Sequence, residues 1–113
     1  MADLIILIPS YNDYRGLKKI ILKIKKKYKI IVINDNSADE TQQLLSDKKI
    51  INIKNIKNLG YEKSLIKGFK YIKKKKFKEN YILTMDADGE HSSKNIKVLL
   101  TSKWIASAAQ LVS

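Results

Sequence analysis

The chain has 113 residues, 44% of them hydrophobic, enough for one small domain with a core of its own. It has no Cys, which excludes disulfides and thiolate metal sites, and no apolar run reaches the roughly 18 residues of a membrane span. The formal charge is +12, yet Arg15 is the only Arg, and sequence-reading nucleic-acid binders favour Arg, so no specific nucleic-acid partner is expected and the Lys excess reads as compositional drift.

Taken in order, apolar and helical patterns alternate. Leu4-Ile5-Ile6-Leu7-Ile8 is a continuous apolar run ended by Pro9, as expected of a strand buried on both faces. It lacks a basic flank, and Asp3 precedes it, which argues against a signal peptide and for a cytoplasmic chain, with peripheral attachment at the inner membrane face as an option. Residues 14–27 follow as a helix with Leu17, Ile20, Ile21 and Ile24 on one face. Ile30-Ile31-Val32-Ile33 reads as a second buried strand. Ser37-Ala38-Asp39-Glu40 fits a capping box ahead of a short helix through Leu44 and Leu45. Ile50, Ile51, Ile53 and Ile56 suggest a peripheral third strand, and residues 61–76 a helix with Leu65, Ile66, Phe69 and Ile72 inward. Tyr81 to Met85 is the fourth strand, and a last helix is expected to hold Ile96, Leu99 and Leu100. The order βαβαβαβα, with short connections, predicts an α/β, Rossmann-like parallel sheet with helices on both faces. Residues 1–105 form the expected domain; the tail 106–113 differs in composition and is set apart from it as a non-native or frayed end.

In such sheets ligands bind beyond the carboxyl ends of the strands. The four strand exits carry Pro9-Ser10-Tyr11-Asn12-Asp13, Asn34-Asp35-Asn36-Ser37, Asn58-Leu59-Gly60 and Asp86-Ala87-Asp88. Turns favour Asn, Asp, Ser and Gly, which accounts for Asn36, Ser37 and Asn58, and Asp86-Ala87-Asp88-Gly89 has the make-up of a polar turn. Asp35, Asp86 and Asp88 are harder to assign to turn chemistry, because carboxylates gathered at one edge repel unless they share a cation or a donor-rich ligand. Asp86 and Asp88, two residues apart where a strand ends, suit a hard cation such as Mg²⁺ or Mn²⁺ together with a diphosphate. His91, the only His, reads at least as well as a solvated or turn-capping residue as it does as a ligand.

Four ordered segments, Ile8–Asp13, Val32–Thr41, Asn58–Phe69 and Met85–His91, resemble the amino-terminal half of a family 2 glycosyltransferase domain of the GT-A fold, most of all the polyprenyl- and dolichyl-phosphate sugar transferases. The resemblance implies inverting transfer of a hexose from a nucleoside-diphosphate sugar to a lipid-phosphate or glycan acceptor. It implies that Pro9, Ser10 and Tyr11 wall the nucleoside pocket, that Asp35 hydrogen-bonds the base, that Lys63 lies near the phosphates, and that Asp86 and Asp88 face ribose and metal, with Asp88 the direct ligand. The chain departs from the family at Asn34, Asn36, Glu90 and Ser92-Ser93. The general base and acceptor half are expected beyond Ser113, so the isolated chain is expected not to turn over. With no further strand beside Tyr81–Met85, it is expected to self-associate as a homodimer through that exposed strand edge. Two rival readings are a non-catalytic nucleotide-binding or assembly module and a basic nucleic-acid-binding α/β domain. The first turn, Pro9-Ser10-Tyr11-Asn12, lacks the Gly-rich fingerprint of a dinucleotide-binding fold.

Overall fold

A computed structural model of the chain describes residues 4–85, 87 and 97–100. The elements are β1 (Leu4–Ser10), α1 (Tyr14–Ile24), β2 (Lys29–Asn34), α2 (Thr41–Leu44), β3 (Ile50–Lys54), α3 (Tyr61–Lys75), β4 (Tyr81–Thr84) and β5 (Lys97–Leu100). One sheet takes them in the order β3-β2-β1-β4-β5. The first four strands are mutually parallel, and the continuous apolar runs of β1 and β2 are buried, as expected of strands covered on both faces.

Strand alternation divides the core in two. On one face Ile6, Ile8, Ile30 and Val32 pack under Leu17, Ile20 and Ile21 of α1. On the other, Ile5, Leu7, Ile31, Ile33 and Ile82 pack under Leu65, Phe69 and Ile72 of α3. Each helix therefore turns its apolar stripe to a different side of the sheet, and both faces are covered as the sequence predicts. Gly68 lets α3 sit close: a Cβ there would fall 2.5 Å from Leu7 Cδ1.

The first strand runs two residues further than expected. Pro9 does not end it, because pairing with β4 stops at Leu7–Thr84 while pairing with β2 continues to Ser10–Asn34. A strand proline is tolerated where one side has no partner. Ile56 is not part of β3; it lies in the following loop, 96% exposed.

The last expected helix is a correction. Residues 97–100 form a strand antiparallel to β4, pairing Tyr81 with Leu100 and Thr84 with Lys97. Val98, Leu99 and Leu100 suit either state by propensity, and the open edge of β4 supplies ladder partners that a helix would leave unused. The same pairing overturns the expected exposed edge of the fourth strand: β5 covers it, and β3 and β5 are the sheet's outer strands. Ile96 and the tail 106–113 lie outside the described residues.

Among the described residues, lysine is concentrated at one end of the strand axis. The amino-end edge, where β1 to β4 begin and α1 and α3 end, carries Lys25, Lys26, Lys27, Lys29, Lys48, Lys49, Lys73, Lys74, Lys75, Lys76 and Lys78. Among the described residues its acids are Asp47 and Glu79, paired with Lys25 at 3.3 Å and Lys29 at 3.4 Å. Asp13, Asp35, Asp39, Glu40 and Glu62 all lie toward the carboxyl-end edge, interspersed there with Arg15, Lys54, Lys57 and Lys63. Among the described residues no helix is long and apolar enough to cross a membrane.

Candidate functional site at the carboxyl-end edge

Strand order reverses between β1 and β4. The chain winds outward from β1 to β2 to β3, then α3 carries it over the opposite face to β4 on the other side of β1. Ligands of open α/β sheets sit at such a reversal, beyond the carboxyl ends of the two strands. Here those ends are Pro9-Ser10-Tyr11 and the segment that opens with Met85. Met85 N–H donates to Leu7 O at 3.2 Å, and Met85 and Ala87 are buried against the α1-side core. Asp86 and Asp88, on either side of Ala87 in sequence, lie outside the described residues, as do Gly89, Glu90 and His91.

Ser10 is 3% exposed, and its hydroxyl finds no hydrogen-bond partner among the described residues. Tyr11 projects outward, 53% exposed. The next residue, Asn12, takes a left-handed backbone (φ 50°), which Asn tolerates better than most residues. It is fixed by the β2 exit: Asn12 N–H donates to Ser37 Oγ at 3.0 Å, and Ala38 N–H donates to Asn12 Oδ1 at 2.7 Å.

Asn34 is fully buried. Its Oδ1 accepts from Ser37 N–H at 2.9 Å and its Nδ2 donates to Gln42 at 3.1 Å, so an amide can replace an acid there and still order the turn. The expected capping box does not form. Ser37 Oγ is taken by Asn12, and Asp39 caps in its stead, accepting from the Thr41 N–H at 3.0 Å, from the Thr41 hydroxyl, and from Tyr14 N–H at 3.1 Å at the start of α1. Burial raises the Asp39 carboxyl, but the hydrogen bonds from Thr41 and Tyr14 outweigh it and hold the group below its ordinary value.

Asp35 lies on the α3 side of the sheet, 3% exposed. Its Oδ1 accepts from Leu59 N–H at 2.7 Å and Asn55 Nδ2 at 2.8 Å. Its Oδ2 accepts from Gly60 N–H at 2.8 Å and Asn58 Nδ2 at 3.0 Å. An ionised carboxylate has about four acceptor positions, and all four are in use. Burial pushes the carboxyl up, but these donors and the nearby Lys67 charge bring it below its ordinary value. The sequence drew attention to Asp35 as a ligand contact; the structure finds it fully engaged by the loop between β3 and α3.

Lys63 is exposed in the first turn of α3, two residues past the Gly60-Tyr61 junction. Gly60 (φ +93°) starts that helix with a backbone that L side chains rarely adopt. Three residues of this network went unrecognised in the sequence. Asn55, fully buried, donates to Asp35 and Ser64 and accepts from Lys67 Nζ at 2.8 Å; Asn58 reads there as a turn residue, and Lys67 as one more surface lysine. A lone polar residue between Lys54 and Ile56, and a lysine one helical turn after Lys63, were the available signals.

Among the described residues no group of three His, Cys, Asp or Glu could hold a metal ion. The donor set at the β4 exit, two carboxylates, has the hard oxygen chemistry that Mg²⁺ and Mn²⁺ take.

Known proteins bear on this edge. Residues 5–102 match the family model described as Glycosyl transferase family 2. The dolichol-phosphate mannosyltransferase of Pyrococcus furiosus is 30% identical over 104 residues, covering 84% of this chain and 28% of that protein. The fold is that of GT-A glycosyltransferases. TarS of S. aureus, solved with UDP-GlcNAc, superposes with a TM-score of 0.62 at 17% identity over 99% of this chain and 31% of its own. Glucosyl-3-phosphoglycerate synthase of Mycobacterium tuberculosis, solved with Mn²⁺, UDP and glucosyl-3-phosphoglycerate, superposes with a TM-score of 0.60 at 14% identity over 74% and 33%. The chain spans about a third of the length of the curated relatives it matches.

Proposed function

The chain belongs to glycosyl transferase family 2, and on that premise we propose that its carboxyl-end edge is the donor site of an inverting sugar transfer, taking a nucleoside-diphosphate sugar and passing the hexose to a lipid-phosphate or glycan acceptor. The observation that carries the reading is the reversal of strand order between β1 and β4, with Pro9-Ser10-Tyr11 at one strand end and the Asp86-Ala87-Asp88 segment following the other. Two similar folds solved with UDP or a UDP-sugar, and a relative named for a dolichol-phosphate acceptor, support it.

In this reading Pro9, Ser10 and Tyr11 wall the nucleoside, with the loop that Asp35 holds completing the pocket. Lys63, free to swing at the start of α3, meets the phosphates. Asp88, with Asp86 beside it, holds Mg²⁺ or Mn²⁺, and that ion neutralises the departing diphosphate. The carboxylate that deprotonates the acceptor is not assigned to any residue of this chain. A lipid-phosphate acceptor would bring the domain to the cytoplasmic membrane face.

Calorimetric titration of UDP and GDP with Mn²⁺, and again with EDTA, tests the site. Binding that needs the metal is expected. No binding to either nucleotide removes the donor-site reading, and equal binding in both conditions removes the metal.

A further inference from the structure

We propose that Asp35 serves the donor site as a positioning residue: it fixes the loop between β3 and α3 and makes no hydrogen bond of its own to the base. The inference rests on the donor-site reading and deepens it.

Four observations carry it. The carboxylate is buried, and its four acceptor positions are filled by Asn55, Leu59, Asn58 and Gly60. A base N–H would have to displace one of these or share an oxygen with it. Two of the donors are backbone N–H groups at the start of α3, one of them Gly60, whose φ of +93° sets the entry angle of the helix. Asn55 passes the restraint on to Ser64 at 3.1 Å and Lys67 at 2.8 Å, so the first two turns of α3 are tied to the β2 exit. Lys63 stands on the first of those turns. The carboxylate thus holds together a strand end, a loop and the helix start that present the site's basic residue.

A latch has a signature that a base contact lacks. If only the latched loop is competent to bind, every ligand of the site has its apparent affinity multiplied by the same competent fraction, and so lowered alike. A lost base contact weakens nucleotides alone. Asp35→Asn keeps the size of the side chain but turns one acceptor oxygen into an NH₂ that meets two donors.

Affinities for UDP, GDP and inorganic diphosphate, each with Mn²⁺, are measured on the wild type and on Asp35→Asn, with hydrogen exchange at the Leu59 and Gly60 amides. All three ligands are expected to weaken by one common factor of about ten, and both amides are expected to lose protection. Weaker UDP or GDP binding with diphosphate unchanged makes Asp35 a base contact and overturns the proposal. A lower melting temperature with all three affinities unchanged makes it structural only and also overturns it. A wild type that binds none of the three overturns the donor-site reading itself, which needs no variant to establish. Should Asp35→Asn fail to fold, Asn58→Ala removes its 3.0 Å bond to the carboxylate, with the longer 3.5 Å bond to the Asp35 carbonyl, and leaves the carboxylate in place. The same uniform but smaller loss is then expected, and a loss confined to nucleotides, or none, overturns the proposal.

Discussion

Gly68→Ala should destabilise the domain although alanine is the better helix former. Gly68 is an interior residue of α3, where Ala is favoured by about 1 kcal/mol. Against that gain, the new Cβ would lie 2.5 Å from Leu7 Cδ1 and 2.8 Å from Leu7 Cδ2. Terminal methyls of a leucine can often swing aside. Leu7 cannot do so cheaply, because it is fully buried in the central strand among Ile5, Ile31, Phe69 and Ile82. Overpacking of this kind costs about 1–3 kcal/mol and carries off-rotamer or backbone adjustment with it. The direct contact is closer than real Cβ atoms approach, so the upper part of that range applies, and the net loss is about 1–2 kcal/mol. For a domain of this size that lowers the melting temperature by roughly 5–10 °C. Urea denaturation of Gly68→Ala, Leu7→Ala and the double variant measures the effect and its origin. Leu7→Ala alone should cost about 2–5 kcal/mol. In the Gly68→Ala background it should cost less, because the methyls that clash are gone and the two sites couple. A Gly68→Ala variant as stable as the wild type, or strictly additive losses, would refute the close-approach argument.

Stability should fall in acid through Asp35 and Asp39. Both carboxyls are held below their ordinary 3.8 in the folded state, so their ionised forms stabilise the fold; that contribution is complete above 3.8 and is lost as pH drops through the lowered values. Melts from about pH 6 to about pH 2.5 should show it, and Asp35→Asn should flatten the acid limb. Asp39→Ala should cost about 1 kcal/mol by denaturant titration, since it uncaps α2 and the first turn of α1 together. An unchanged midpoint would mean that those caps are idle. Asp88→Asn should weaken Mn²⁺-dependent nucleotide binding by roughly 1.5–3 kcal/mol and leave the melting temperature unchanged; calorimetry with equal affinities for wild type and variant would remove Asp88 as ligand.

Much of the architecture was legible because it is written locally. The continuous apolar runs at 4–8 and 30–33, short and rich in Ile and Val, read as strands covered on both faces, and the spacing of Leu17, Ile20 and Ile21, or of Leu65, Phe69 and Ile72, marks the inward stripe of a helix. What failed to show was non-local. Val98, Leu99 and Leu100 become a strand because β4 offers a free edge, a fact about the sheet and not about those residues. The Ser37–Glu40 pattern met every rule of a capping box, yet Asn12, 25 residues upstream, had claimed the serine hydroxyl. Asp35 was noticeable as an acid in an otherwise basic chain, but its partners stand 20 to 25 residues further on and leave no periodic trace.

Among the described residues, the lysines gathered at the amino-end edge give the fold an electric moment roughly along its strands. On a negatively charged bead or sensor chip the molecule would land amino-end edge first, lysines down, with the Pro9-Ser10-Tyr11 edge facing the flowing solution. Adsorption through charge alone would therefore favour this orientation, without a tag, and would release the molecule as added salt shortens the reach of the field.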